Sequence, residues 1–157
     1  MVADLATLTT MALAAFSAAT LLPGGSEAVF VALLAAGTAN PWALFLVAAL
    51  ANTAGGMTSL WIGTQIARGA DSERGQAWMR RFRLPPESFA RATRLFTRWG
   101  WATLLLCWMP VIGDPVTLVA GMARYPALPT ALITGLARTL RYAAVWAAAA
   151  GVIAWWG

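Results

Sequence analysis

Two short polar breaks interrupt otherwise apolar sequence, and each carries one carboxylate. The first is Pro23-Gly24-Gly25-Ser26-Glu27; the second is Pro110-Val111-Ile112-Gly113-Asp114-Pro115. They recur at one interval, since 110 − 23 = 87 and 114 − 27 = 87. Each is followed by a short apolar run closing on Ala-Gly, at Ala36-Gly37 and at Ala120-Gly121. The pattern is that of one hairpin unit used twice. A carboxylate set in hydrocarbon costs about 3 kcal/mol, so an acid in such a place marks function. Matching acids in two halves of a chain point to a transporter-like site where the repeats meet.

The surroundings of these breaks are those of a membrane protein. The chain of 157 residues is 60% hydrophobic and 11% charged, against about 25% charged in soluble domains. Helices satisfy every backbone group internally, so a spanning chain of this kind is helical. The segments between breaks are rich in Ala and Leu and lack alternation, which excludes a barrel. All 11 basic residues are Arg, and the net charge is +5. The arginines flank or interrupt apolar segments, as a positive-inside bias requires, and nucleic-acid binding is not expected. One cysteine, Cys107, allows neither an intrachain disulfide nor a cysteine metal cluster. With no His, Ser-His hydrolysis and most transition-metal sites are out of reach. No metal or cofactor is expected.

In chain order, residues 5–22 read as a first apolar helix, stopped at Pro23. Glycine at 24 and 25 turns the chain without steric cost. Asp4 and the lack of basic residues before this helix argue against a cleaved signal peptide. Residues 28–37 supply only about 15 Å of helix, half a bilayer, as a re-entrant arm would. Asn40-Pro41 marks a turn, and residues 42–67 are long enough to span. Within them Gly55, Gly56 and Gly63 suit close helix packing, whereas the Asn52 amide at mid-depth needs a partner. Residues 68–98 hold eight arginines and three acids, so this connector is expected on the cytoplasmic side. From Glu87 onward its aromatic residues and arginines fall on different faces of an interfacial helix. Residues 99–109 re-enter the membrane, 116–123 return as a short arm, and 127–157 form the last span. The organisation is a single membrane domain: repeat 1 at 5–67, connector at 68–98, repeat 2 at 99–157.

The last span carries Arg138 and Arg141 on one face, three residues apart. Arg138 lies about 16 Å from the helix start, too deep to snorkel to an end. Four charges thus stand in apolar surroundings, at an unpaired cost on the order of 10 kcal/mol. Their signs balance, so Glu27, Asp114, Arg138 and Arg141 are expected to meet in one central cluster.

Several stretches carry a family resemblance: P-G-G-S-E-A-V-F-V-A-L-L, F-T-R-W-G, W-M-P-V-I-G-D, L-V-A-G and L-A-R-T-L-R-Y. Together they resemble the DedA family of bacterial inner-membrane proteins, which shares the VTT domain with eukaryotic lipid scramblases, and its short branch in particular. The resemblance implies an all-α multi-pass protein of two inverted repeats, each a re-entrant hairpin plus a transmembrane helix. Pro23, Gly24, Gly25, Pro110, Gly113 and Pro115 would form the hairpin turns. It implies a place in the cytoplasmic membrane and movement of phospholipid or polyprenyl phosphate, with proton coupling. Arg98 matches a basic position common to the family. Other family members carry an acid inside the first turn, where this chain has Gly25, and arginines around the second proline, where it has Cys107 and Gly113.

The leading expectation is a lipid or lipid-phosphate transporter that uses Glu27, Asp114, Arg138, Arg141, Arg98 and Asn52. Arginines would bind a lipid phosphate, and the acids would compete for them. An ion- or proton-coupled small-solute transporter is the alternative, followed by a structural or assembly protein without transport. An acid-dyad protease is disfavoured: a dyad must share a proton, and the two arginines would hold both acids ionised. Small-residue faces permit a homodimer.

Overall fold

A computed structural model describes residues 2–20, 25–68, 94–109 and 113–156. All regular structure among them is helical. The elements are α1 (Val2–Thr20), α2 (Ser26–Ala36), α3 (Pro41–Arg68), a helical stretch at 94–99 running into a 3₁₀ helix (Gly100–Trp108), α4 (Gly113–Met122) and α5 (Ala127–Trp156). Pro23, Gly24 and Pro110 lie outside the described residues, as does the connector except for residue 68 and residues 94–98.

Local chemistry sets most of these boundaries. Gly25, at φ 107°, precedes α2 in backbone that side chains other than glycine resist. Gly37, at φ 63°, closes α2 by donating its amide to Leu34 O at 3.2 Å. Asn40 caps α3, its Oδ1 accepting from the amides of Trp42 (2.9 Å) and Ala43 (3.3 Å). Pro41 then occupies the first helical position, where no N–H is needed. At the second break the helix begins earlier than the sequence suggests. Gly113 and Pro115 belong to the first turn of α4 rather than to the loop, because proline is tolerated there for the same reason. Residues 99–109 are not a regular α-helix either: Gly100, at φ 51°, breaks the preceding helix and a nine-residue 3₁₀ segment follows.

Helix starts recur at a near-constant interval. Gly113 follows Ser26 at the 87-residue interval of the breaks (113 − 26 = 87), and α5 follows α3 at 86 (127 − 41 = 86). The long helices α3 and α5 run antiparallel, with Trp42 against Trp146 (ring centroids 4.7 Å apart) and Asn52 against Arg138. Helix α2 runs from Tyr142, touched by Ser26 and Phe30, back to Thr38, whose hydroxyl is 3.0 Å from that of Thr7 near the start of α1. Helix α4 runs the other way, from Thr117 beside Arg138 to the Arg68 end of α3, where Arg124 reaches Ala67 O.

Small residues let the backbones approach. A Cβ on Gly55 would sit 2.6 Å from Phe16 O, so α1 and α3 cross there. A Cβ on Gly63 would collide with Leu118 O, and one on Gly121 with Leu60 O. Helices α3 and α4 therefore meet main chain to main chain, and Thr64 Oγ1 adds a bond to Gly121 O at 3.3 Å. The outer faces are greasy. Leu128, Leu132, Leu136 and Leu140 form an exposed stripe on α5, and Trp42, Leu46 and Leu50 one on α3. Among the described residues α3 is the one helix both long and apolar enough to cross a membrane.

Gly121→Leu should lower stability in detergent by about 1–3 kcal/mol or prevent folding, as overpacking does. Gly151→Ala, with open space at its Cβ, should be neutral or slightly stabilising. Thermal unfolding of the two variants checks the crossing.

Candidate functional site

The turn at Gly25 delivers Ser26 and Glu27 into the first turn of α2, where the helix dipole favours a carboxylate. Opposite stands α5, whose Arg138, Arg141 and Tyr142 are all buried. Glu27 Oε1 lies 3.1 Å from Arg141 Nε. The Nε–H is not aimed at that oxygen, so the contact is Coulombic rather than a well-formed hydrogen bond. Glu27 keeps 22% side-chain exposure and Arg141 only 7%, so one member of the pair can be reached from outside.

A chain of hydrogen bonds runs inward from this pair. Ser26 Oγ donates to Glu27 Oε2 at 3.4 Å, and Tyr142 OH donates to Ser26 Oγ at 3.0 Å. Asn52 Nδ2 in turn donates to Tyr142 OH at 3.4 Å and to Ala15 O at 3.1 Å. Every donor in this chain points toward the Glu27 carboxylate. On its other side Asn52 is an acceptor. Arg138 Nη1 donates to Asn52 O at 2.6 Å and to Asn52 Oδ1 at 2.8 Å, and Nη2 reaches Thr117 Oγ1 at 3.4 Å. The guanidinium lies over Gly56, where a Cβ would come within 2.8 Å of its Cζ. Phe30 packs edge-on against Tyr142 at 5.4 Å and seals the side toward α1.

Glu27, Arg141, Arg138 and Asn52 thus come together. Among the described contacts Arg138 connects to Glu27 through Asn52, Tyr142 and Ser26. Asp114 begins α4 three residues before Thr117; its side chain lies outside the described residues. Arg98 is not part of the site. It is exposed on the stretch at 94–99, whose buried member is Phe96. Sequence reasoning missed Ser26, Tyr142, Thr117 and Gly56. Tyr142 carried a usable signal, since it follows Arg138 by four residues and so shares its face. Gly56 carried none beyond general packing.

This is a helical membrane protein with a buried polar network shared between its halves. The VTT domain model matches residues 22–151, and the chain belongs to the VTT-domain (DedA) family. It is 39% identical over 141 residues to inner membrane protein YqaA of Escherichia coli (strain K12), covering 90% of this chain and 89% of that one. The Shigella flexneri protein of the same name gives the same values. An uncharacterized protein of Haemophilus influenzae is 33% identical over 144 residues, 86% of this chain and 82% of the relative. No solved structure matches.

Asn52→Leu should destabilise the protein by about 1.5–3 kcal/mol, the value of a hydrogen bond to a charged group. Tyr142→Phe keeps the contact with Phe30 and should cost only about 1 kcal/mol. Unfolding midpoints in detergent distinguish the two; a larger loss for Tyr142→Phe would contradict the network as described.

Proposed function

We propose that this protein moves a phosphate-bearing lipid across the bacterial inner membrane, with the network around Glu27 and Arg141 as its binding site. Depth supports this. From Trp42 to Trp61 is 61 − 42 = 19 residues of α3, about 28 Å of helix, close to the ~30 Å hydrocarbon core. Asn52 falls halfway between the two tryptophans. The network is then a mid-membrane site, where charged side chains serve transport pathways.

The topology of such a carrier is a pair of re-entrant hairpins in inverted repeat. Helices α2 and α4 both leave the central network and run to opposite ends of α3. The Thr7–Thr38 contact brings the two ends of the first hairpin to one side. Helix α4 packs mainly on α3, and α2 lies among α1, α3 and α5, as two halves related by inversion would allow. The remaining segments make the protein multi-pass, and the arginine-rich connector faces the cytoplasm.

The Glu27–Arg141 pair carries the functional reading. Arg141 supplies the guanidinium, and Glu27 is the partly exposed acid that occupies it. An entering phosphate competes with the carboxylate for the guanidinium through charge-assisted bonds. A proton taken up by Glu27 frees Arg141 for the phosphate. Substrate binding and proton uptake are coupled in this way.

Reconstitution in vesicles tests the reading, with labelled phospholipid and polyprenyl phosphate as probes. Arg141→Gln should reduce lipid movement at least about tenfold, the loss of a strong charge-assisted contact. Glu27→Gln should keep binding but lose dependence on a proton gradient. Unchanged rates in folded variants reject the site, and flux of a small solute without lipid movement favours a solute carrier instead.

A further inference from the structure

A groove with a cationic rim stands apart from the central network, at the Arg68 end of α3. A cavity of about 760 Å³ opens there between the last turns of α3 and the start of α5. Its apolar walls come from Leu60, Trp61, Leu128 and Ala131, of which Trp61 and Leu128 face outward. Its rim is polar and cationic, with Gln65, Arg68 and Arg124. Among the described residues neither arginine is ion-paired to a carboxylate. The groove also ends at the first turn of α5, where the helix dipole adds to the positive potential.

Arg124 is the telling residue. It ends α4 in a motif that normally uses glycine: its amide donates to Gly121 O at 2.9 Å and that of Tyr125 to Ala120 O at 3.0 Å. Arg124 holds the required left-handed conformation at φ 58°, the one non-glycine residue with positive φ among those described. An L side chain is strained there. The side chain is steadied by Nη2 donating to Ala67 O at 3.4 Å, which keeps its charge beside the end of α3. A strained arginine where glycine would be cheaper is retained for its charge.

Depth identifies the occupant. Arg68 lies seven residues beyond Trp61, about 10 Å past the hydrocarbon edge on the scale above. Tyr125 is stacked edge-on by Phe96 (4.9 Å) and Trp101 (4.7 Å), an aromatic belt at the same level. An apolar groove in the hydrocarbon, crowned by two arginines in the headgroup layer, matches one acyl lipid with an anionic phosphate head. We propose that this groove binds an anionic phospholipid of the leaflet facing the arginine-rich connector, with Arg68 and Arg124 on its phosphate. The assignment does not depend on transport through the central network.

The test is native mass spectrometry of the full chain released from nanodiscs of mixed phosphatidylglycerol and phosphatidylcholine. The protein should retain phosphatidylglycerol preferentially. Arg124→Gly suits the backbone and removes only the charge, so the variant should fold at least as well and hold about fivefold less of it, as should Arg68→Gln. Arg98→Gln, an equal loss of charge outside the groove, should retain it like the parent. Equal retention of both lipids, or unchanged retention in Arg124→Gly and Arg68→Gln, would overturn the site. Displacement of phosphatidylglycerol by millimolar inorganic phosphate would overturn the lipid assignment in favour of a free anion.

Discussion

The structure is built around a guanidinium that cannot reach water. Arg138 is fully buried, and a charge so placed is tolerated only when hydrogen bonds replace its hydration. Two acceptors on Asn52 contribute to this, one side-chain and one main-chain. The bond to the Asn52 main-chain oxygen matters because that oxygen sits on α3 whatever the side chain does. It ties α5 to α3 at one register. Thr117 then ties α4 to the same group, and Tyr142 with Ser26 ties α2. Asn52 Nδ2, donating to Ala15 O, adds α1, so five helices are located by one buried cation and its immediate partners.

The glycines make that arrangement reachable. Gly56 leaves room for the planar guanidinium on the surface of α3. Gly55, Gly63 and Gly121 bring α1 and α4 against α3 at main-chain distance. In lipid there is little hydrophobic drive between helices, so close backbone approach and interhelical hydrogen bonds must carry association. The Ser59 hydroxyl on Ala19 O at 3.0 Å and the Thr64 hydroxyl on Gly121 O are of that kind. The polar network and the small-residue crossings are therefore one design: tight crossings exclude lipid from the buried charges, and the charges fix which crossing is made.

The Glu27–Arg141 pair differs from the rest. It lies at the edge of the buried region, its geometry is imperfect, and one partner is partly exposed. A buried ion pair with poor geometry adds little to stability. Its partial exposure sets it apart from Arg138, which is fully buried. At the far end of α3, Arg124 keeps a charge at a backbone position that glycine would fill more comfortably.

Much of this could be read from the chain directly. The helical class followed from composition, because hydrocarbon forbids unsatisfied backbone. The breaks, the 87-residue interval and most helix limits followed from Pro, Gly and Asn, whose backbone preferences are local. Glu27, Asn52, Arg138 and Arg141 stood out because polar groups in apolar sequence are costly anywhere. Their pairing was legible only in part. Charge balance suggested acid to arginine, and Glu27 does meet Arg141, but the amide of Asn52 on Arg138 was not foreseen. Which partner a buried group obtains depends on helix crossing and register, decided by contacts between residues 21 to 116 apart in sequence. Arg98 shows the same limit: its motif is local, but its exposure was set by how Phe96 packs. Local backbone chemistry and the cost of buried charge determined the elements and the candidates, and three-dimensional packing alone decided who meets whom.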